Sequence, residues 1–335
     1  MFRKTAGRRL KSDHRLPHSN AIWRGCPIQR IILDCDPGHD DAIAILLAAH
    51  APTLQLEAIT AVAGNQTVEK TAYNALRICS FAGITSVPVA AGMDRPLVRE
   101  QHIAASIHGE TGLDGPILPA ASISLAPIHA VDLLIELLLA SAGDIAIVAT
   151  GPLTNVATAI RREPRIVPKI QRIVLMGGAI GLGNWTPAAE FNIFVDPEAA
   201  DVVFRCGRPI TMIGLDVTHQ ALATPKVRAR IRDLSSPVAL LVEELLGFFA
   251  GTYRRVFGFT SPPLHDPCAV AYLMDPTIFR VQPMHVDIEL HGQYTLGRTV
   301  CDVHGITEQP ANAEVGTALN AARFWDLLIT TLATY

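Results

Sequence analysis

The chain lacks the marks of several protein classes. Its formal net charge is only −3, which gives no general pull toward nucleic acid or an acidic membrane surface. The longest unbroken apolar runs, such as Ala42–Ala49, fall far short of the roughly 20 residues a membrane span needs. The six cysteines (Cys26, Cys35, Cys79, Cys206, Cys268, Cys301) are scattered and form no CxxC pair. That excludes the usual zinc site and a disulfide framework, and it favours a reducing, cytoplasmic setting. Acids are nearly missing from residues 1–27, where Asp13 stands against Arg3, Lys4, Arg8, Arg9, Lys11, Arg15 and Arg24. The segment carries +6 and leaves −9 for the remainder. A disordered extension is the favoured reading of it, and an organelle transit peptide is the alternative. It holds no apolar stretch that could serve as a secretory signal.

What is present, from residue 28 on, is a repeated strand, loop and helix in one domain, 28–335. Ile28–Leu33 is a short isoleucine-rich run of the kind buried in a parallel sheet. The pattern predicts a helix over Ala42–Ala49, a strand over Gln55–Thr60, a helix over Val68–Ala82 and a strand over Val87–Ala90. Residues 92–128, rich in Gly and Pro, read as a functional loop region. Further helices are predicted at Val131–Ala142 and from Asn155, and strands at Ile145–Thr150, Ile173–Met176 and Ile210–Leu215. Val286–Leu290 and Tyr294–Val300 read as a hairpin about His291–Gln293, before a closing helix at Leu319–Leu332. The expected fold class is α/β, with a mainly parallel, Rossmann-like sheet flanked by helices. Such sheets bind ligands beyond the carboxyl ends of their strands. Asp34, Asp36, Asn65, Thr150, Met176 and Asp216 occupy those places.

The segment Asp34-Cys35-Asp36-Pro37-Gly38-His39-Asp40-Asp41 sets four carboxylates within eight residues, with no Lys or Arg among them. One could cap the following helix. Four repel one another unless a cation lies between them, and oxygen donors in irregular array suit calcium better than magnesium. The spacing is not that of an EF-hand loop. Asp34 is the member expected only to brace the loop.

These residues resemble the N-terminal signature of the nucleoside hydrolases of the inosine–uridine-preferring type. Gly64-Asn65-Gln66-Thr67, His108-Gly109-Glu110-Thr111-Gly112-Leu113, Thr150-Gly151-Pro152-Leu153-Thr154-Asn155, Leu175-Met176-Gly177-Gly178, Glu190-Phe191-Asn192 and His265-Asp266-Pro267 follow in the family's order. The resemblance runs from about residue 28 to the end, and the basic extension has no counterpart in it. It implies the nucleoside hydrolase fold, a bound Ca2+ and a homotetramer or homodimer acting on a small-molecule ribonucleoside. It implies Asp36, Asp41 and Asp266 as carboxylate ligands of the calcium, with the Thr150 backbone oxygen. Asp40, Asn65, Asn184, Glu190 and Asn192 would hold ribose hydroxyls, with Met176 and Phe191 beside the substrate. Asp36 would also act as base toward a calcium-bound water.

The chemistry is coherent with those residues. Ribosyl C–N cleavage passes through an oxocarbenium-like state that anionic surroundings favour. Carboxamides and carboxylates can bond sugar hydroxyls, and a site built for them disfavours deoxyribose. Departure of the base calls for a proton, and His265, beside Asp266, is the expected acid, titrating near neutrality. His108, in a Gly-rich loop, either contacts the base or ties down its loop. Tyr253, Phe257 and Trp185 either wall the base or pack ordinarily. Asp196, before Pro197, reads as a helix cap. The stretch Gly181–Asn192, His39 and Leu113-Asp114-Gly115-Pro116 resemble the pyrimidine-specific ribonucleoside hydrolases of bacteria, so uridine and cytidine are the expected substrates. A broad inosine–uridine activity is the alternative. Two rivals are weaker. Asp34-x-Asp36 also resembles haloacid-dehalogenase-type phosphatases, but Gly38 stands where that pattern has Thr or Val, and Asp40–Asp41 and His265–Asp266 are left without a role. A non-catalytic nucleoside or sugar binder would have no need of a metal plus a base.

Overall fold

The computed structural model describes residues 28–335, so the expectations for residues 1–27 lie outside the described residues. The chain begins β1 (Gln29–Cys35), α1 (His39–His50), β2 (Leu54–Ala61), α2 (Val68–Phe81), β3 (Val89–Ala91), α3 (Ala105–His108) and α4 (Ala130–Ala140). It continues β4 (Ile145–Ala149), α5 (Thr154–Arg162), β5 (Ile170–Met176), α6 (Phe191–Val195), α7 (Pro197–Phe204), β6 (Ile210–Ile213), α8 (Leu215–Thr218), α9 (Pro225–Arg232) and α10 (Pro237–Phe257). It closes α11 (Pro267–Met274), β7 (Phe279–Met284), β8 (Val286–Ile288), β9 (Thr299–Cys301), β10 (Ala313–Leu319) and α12 (Ala321–Leu332).

Eight strands form one sheet in the order β3-β2-β1-β4-β5-β6-β10-β7, parallel except for β7, which pairs antiparallel with β10. Successive residues of β1 serve opposite faces. Ile31, Leu33 and Cys35 pack with α1, α2, α11 and α12, while Ile32 joins the core under α4, α5 and α7. Burial on both sides explains the near-continuous apolar strands. The order of strands also fixes where a ligand goes. From β1 the chain builds outward through β2 and β3 on one side, and through β4, β5 and β6 on the other. The crevice between β1 and β4 is therefore the topological switch point. Asp34 pairs with Ala149 in that register, which carries Asp36 to the level of Gly151, just past Thr150, at the strand ends.

Three of the differences from the sequence expectation have a clear local cause. The helix expected at Ala42 starts at His39, because the Asp41 carboxylate accepts the Gly38 N–H at 3.0 Å and closes the first turn earlier. The C-terminal hairpin is present, with Val286 opposite Cys301 and Ile288 opposite Thr299, but its turn spans 289–298 and Tyr294 is exposed rather than in a strand. Gly297 breaks the second strand: its φ is 75° and a Cβ there would meet the Phe194 backbone. Leu319 ends β10 rather than opening the last helix, which Asn320 caps through the Arg323 N–H. No helix among the described residues is long and apolar enough to cross a membrane.

Candidate active site

At the carboxyl ends of β1, β2, β4 and β5 lies a cleft of about 510 Å³, counting its open mouth. Its lining includes Asp40, Asn65, His108, Thr150, Met176, Asn184, Glu190, Phe191, Asn192, Tyr253, His265 and Asp266. No Lys or Arg is among the lining residues.

Acids form the floor. Asp40, Asp41 and Asp266 are buried, and each brings a carboxylate oxygen within 4.8 Å of the others. Asp266 comes from just before α11, more than two hundred residues from its partners in sequence. Asp41 accepts the Thr150 hydroxyl at 2.8 Å and the Asn65 amide at 3.2 Å. Asp36 is fully buried beside them; its Oδ2 accepts the Asn65 N–H at 2.7 Å, while Oδ1 has no hydrogen-bond partner. Burial, then the charge of Asp41, pushes the Asp36 carboxyl well above its ordinary range. Burial and the charges of Asp40, Asp41 and Asp36 do the same to Asp266. Burial and the charge of Asp41 bring Asp40 to about 7. These shifts have one physical meaning: the carboxylates are desolvated together with no positive partner. An all-oxygen donor set, one orphaned carboxylate oxygen and uncompensated negative charge fit a hard divalent cation. Asp40, expected on the sugar, lines the cleft and also stands in the converging trio, and Asp36 lies beside that trio.

Asp34 accepts from Thr60 Oγ1 at 2.6 Å and Asn155 Nδ2 at 2.8 Å, and so braces β1 against its neighbours. Above the acids, the Asn192 amide nitrogen donates to the Thr150 carbonyl at 2.8 Å and the Met176 carbonyl at 3.0 Å, which leaves its oxygen as an acceptor. Glu190 caps α6, taking the N–H groups of Asn192, Gly178 and Ile193. Burial raises it to about 7 against those three donors. The Asn184 carbonyl oxygen accepts the Phe191 N–H at 2.9 Å, leaving its NH2 as a donor.

The far wall is aromatic. Phe191 meets Trp185 edge-on at 5.0 Å, and Tyr253 meets Phe249 edge-on at 4.6 Å. Trp185 and Phe257 both line the cleft. The expectation that His265 titrates near neutrality needs correction. Its Nδ1 lies 2.8 Å from Thr218 Oγ1 and its Nε2 2.7 Å from the Tyr253 hydroxyl. Burial, then neighbouring His219, pushes the ring down to about 3. Asp196 caps α7 through the Ala199 N–H, and Asp216 is spent on the N–H groups of Ile180 and Gly181.

Sequence reasoning missed Thr218 and Phe249. Thr218 carried no motif. Phe249 sits in a long helix whose Gly247 and Gly251 hide its periodicity.

The chain thus sets a buried acid cluster at the switch point of a parallel α/β sheet, under a cleft lined by carboxamide, carboxylate and aromatic side chains. The sequence profile of inosine-uridine preferring nucleoside hydrolases matches residues 31–326, and the chain belongs to that family of N-glycosyl hydrolases. The chain is 53% identical over 306 residues to a pyrimidine-specific ribonucleoside hydrolase RihA of Shewanella sp. (strain ANA-3), covering 91% of this chain and 96% of that one. Among solved structures it is similar to a purine-preferring ribonucleoside hydrolase from Gardnerella vaginalis, with TM-score 0.86, 34% identity, and 91% and 98% coverage. It is also similar to a plant nucleoside hydrolase, PpNRh1, with TM-score 0.85, 32% identity, and 92% and 100% coverage.

Proposed function

We propose that the chain hydrolyses pyrimidine ribonucleosides, uridine and cytidine, to the free base and ribose, and that calcium is its metal. The observation that carries this reading is the ring of buried carboxylates without a cationic partner, set beneath groups suited to a ribose. The pyrimidine preference rests on the relatives that are about half identical over nine-tenths of the chain.

Asp36, Asp41, Asp266 and the Thr150 carbonyl would hold the cation. The carbonyl keeps a lone pair beyond the one Asn192 uses. A divalent cation held there would supply Lewis acidity, lowering the pKa of a nearby water and helping to orient the sugar. Asp36 takes the proton from the attacking water through its unpartnered Oδ1. Asp40, Asn65, Asn184, Glu190 and Asn192 hold the sugar, with Met176 packed beneath it. The surrounding carboxylates favour the positive charge that develops at C1′. At the other end, His108 and Phe191 face the base. His265, neutral at rest, would take up a proton from solvent and pass it to the departing ring, with the Tyr253 hydroxyl 2.7 Å from its Nε2 to hold it in place. Residues 28–335 form one catalytic domain in this reading. Assembly of two or four copies and a cytoplasmic location complete it; the five described cysteines, all free thiols, support a reducing compartment.

Incubation with uridine, followed by reducing-sugar detection of ribose with and without a chelator, tests the proposal. Ribose should appear and chelation should abolish it. A binder would release none, and a phosphatase would act on phosphorylated substrates alone. Inosine cleaved as fast as uridine would replace the pyrimidine reading with the broad inosine–uridine one.

A further inference from the structure

We propose that His39 is a positioning residue that holds His108 with its Nε2 edge toward the base, an inference that rests on the nucleoside reading above. His39 does not line the cleft and is 1% exposed. It is the first residue of α1, directly before Asp40 and Asp41. Its ring lies flat against two rings of α10: Phe248 at 4.8 Å and 4°, and Phe249 at 5.6 Å and 7°. Its Nε2 is 2.8 Å from the Asp114 carbonyl oxygen. Its Nδ1 is 3.1 Å from His108 Nδ1, and its backbone N–H points at the same atom from 3.3 Å. One side chain thus joins the helix that carries the acids, the long helix behind the cleft, and the loop that carries His108.

His108 depends on that link. It ends the four-residue α3, and the loop beyond turns through Gly109, Gly112 and Gly115, all at positive φ. Such a loop fixes no rotamer by itself. The His108 Nδ1 side is closed by His39 and by Gly38, where even a Cβ would strike the ring at 2.5 Å. Nε2 has no hydrogen-bond partner among the described residues and is left on the side of the cleft, which His108 lines.

Two variants of the full-length protein test this. His39→Phe keeps a ring between Phe248, Phe249 and the loop but makes none of the ring hydrogen bonds. His39→Gln restores one donor and one acceptor. With uridine, His39→Phe should lower kcat/KM about tenfold, the scale of one misplaced hydrogen bond, and His39→Gln should recover most of it. Competitive inhibition by free ribose, which engages only the sugar end, should change less than about twofold. In a His108→Ala background His39→Phe should cost nothing further, since it acts through the missing ring. Amide hydrogen exchange over 105–114 should quicken in His39→Phe. Equal weakening of ribose inhibition, an additive loss with His108→Ala, or unchanged exchange over 105–114 would each overturn the assignment. If the parent protein releases no ribose from uridine, the nucleoside reading falls, and the exchange comparison alone decides the His39–His108 link.

Discussion

Asp36 is fixed by glycine as much as by hydrogen bonds. A Cβ on Gly151 would lie 2.7 Å from Asp36 Oδ1, and one on Gly64 would overlap Oδ2. Both positions are closed to any side chain while the carboxylate stays where it is. The role given to Asp36 therefore predicts two matching losses. Asp36→Asn should keep the fold and lower uridine turnover roughly 10²- to 10⁴-fold, the usual worth of a general base. Gly151→Ala should imitate it by pushing the carboxylate aside. Steady-state rates beside far-ultraviolet circular dichroism check the pair; near-normal turnover in Asp36→Asn would contradict the assignment. At His265 both ring nitrogens are engaged, by Thr218 and Tyr253, and burial lowers the ring below the usual histidine range. His265→Ala should hurt inosine and uridine more than a nitrophenyl riboside, whose leaving group needs no proton. Equal losses on all three substrates would remove His265 and Tyr253 from leaving-group protonation.

At the level of elements, loops rather than strands had to be tied down, and one side chain illustrates how. Asp196 caps α7 through the Ala199 N–H at 3.0 Å, accepts the Thr154 hydroxyl at 2.7 Å and takes the Leu97 N–H at 2.9 Å. It thereby fastens the 92–100 loop to α5 and α7. Asp196→Ala removes a cap and strands two buried donors, so unfolding should become easier by about 2–4 kcal/mol. A urea midpoint shifted at constant slope would show it. The sequence made Asp196 legible as a cap because Pro197 follows it, yet nothing local showed that it also serves Leu97 and Thr154. The same division runs through the fold. Strands β1 to β6 were readable because burial on both faces demands unbroken apolar runs. β7 and β10 were not: their residues are of mixed exposure without a regular alternation, and β10 reads Ala-Glu-Val-Gly-Thr-Ala-Leu, with little β-branched character. The aromatic wall was legible only as a choice between packing and stacking, since α10 supplies both uses from one face.

For the whole molecule, the acid floor is a liability that the rest of the fold must carry. Asp36, Asp40, Asp41 and Asp266 arrive from two distant parts of the chain and converge only when the sheet and α11 have formed. Asp266 was legible beside His265 as a motif, but its distance from Asp36–Asp41 in sequence concealed that a single ion would couple the two ends of folding. The unfolded chain keeps these acids apart and hydrated, so mutual repulsion penalises the folded state alone, and a cation that binds only the folded array relieves it. Calcium at about one hundred times its dissociation constant should therefore add about 2.7 kcal/mol. A thermal melt after exhaustive chelation should fall by several degrees and recover on adding calcium, more than on adding magnesium at equal concentration. Asp41→Asn removes one of the repelling charges along with a ligand. Its chelated form should melt at or above the chelated parent, while its response to calcium shrinks. A parent melt indifferent to both chelator and calcium would show that the carboxylates meet without needing an ion, and the proposed mechanism would lose its metal.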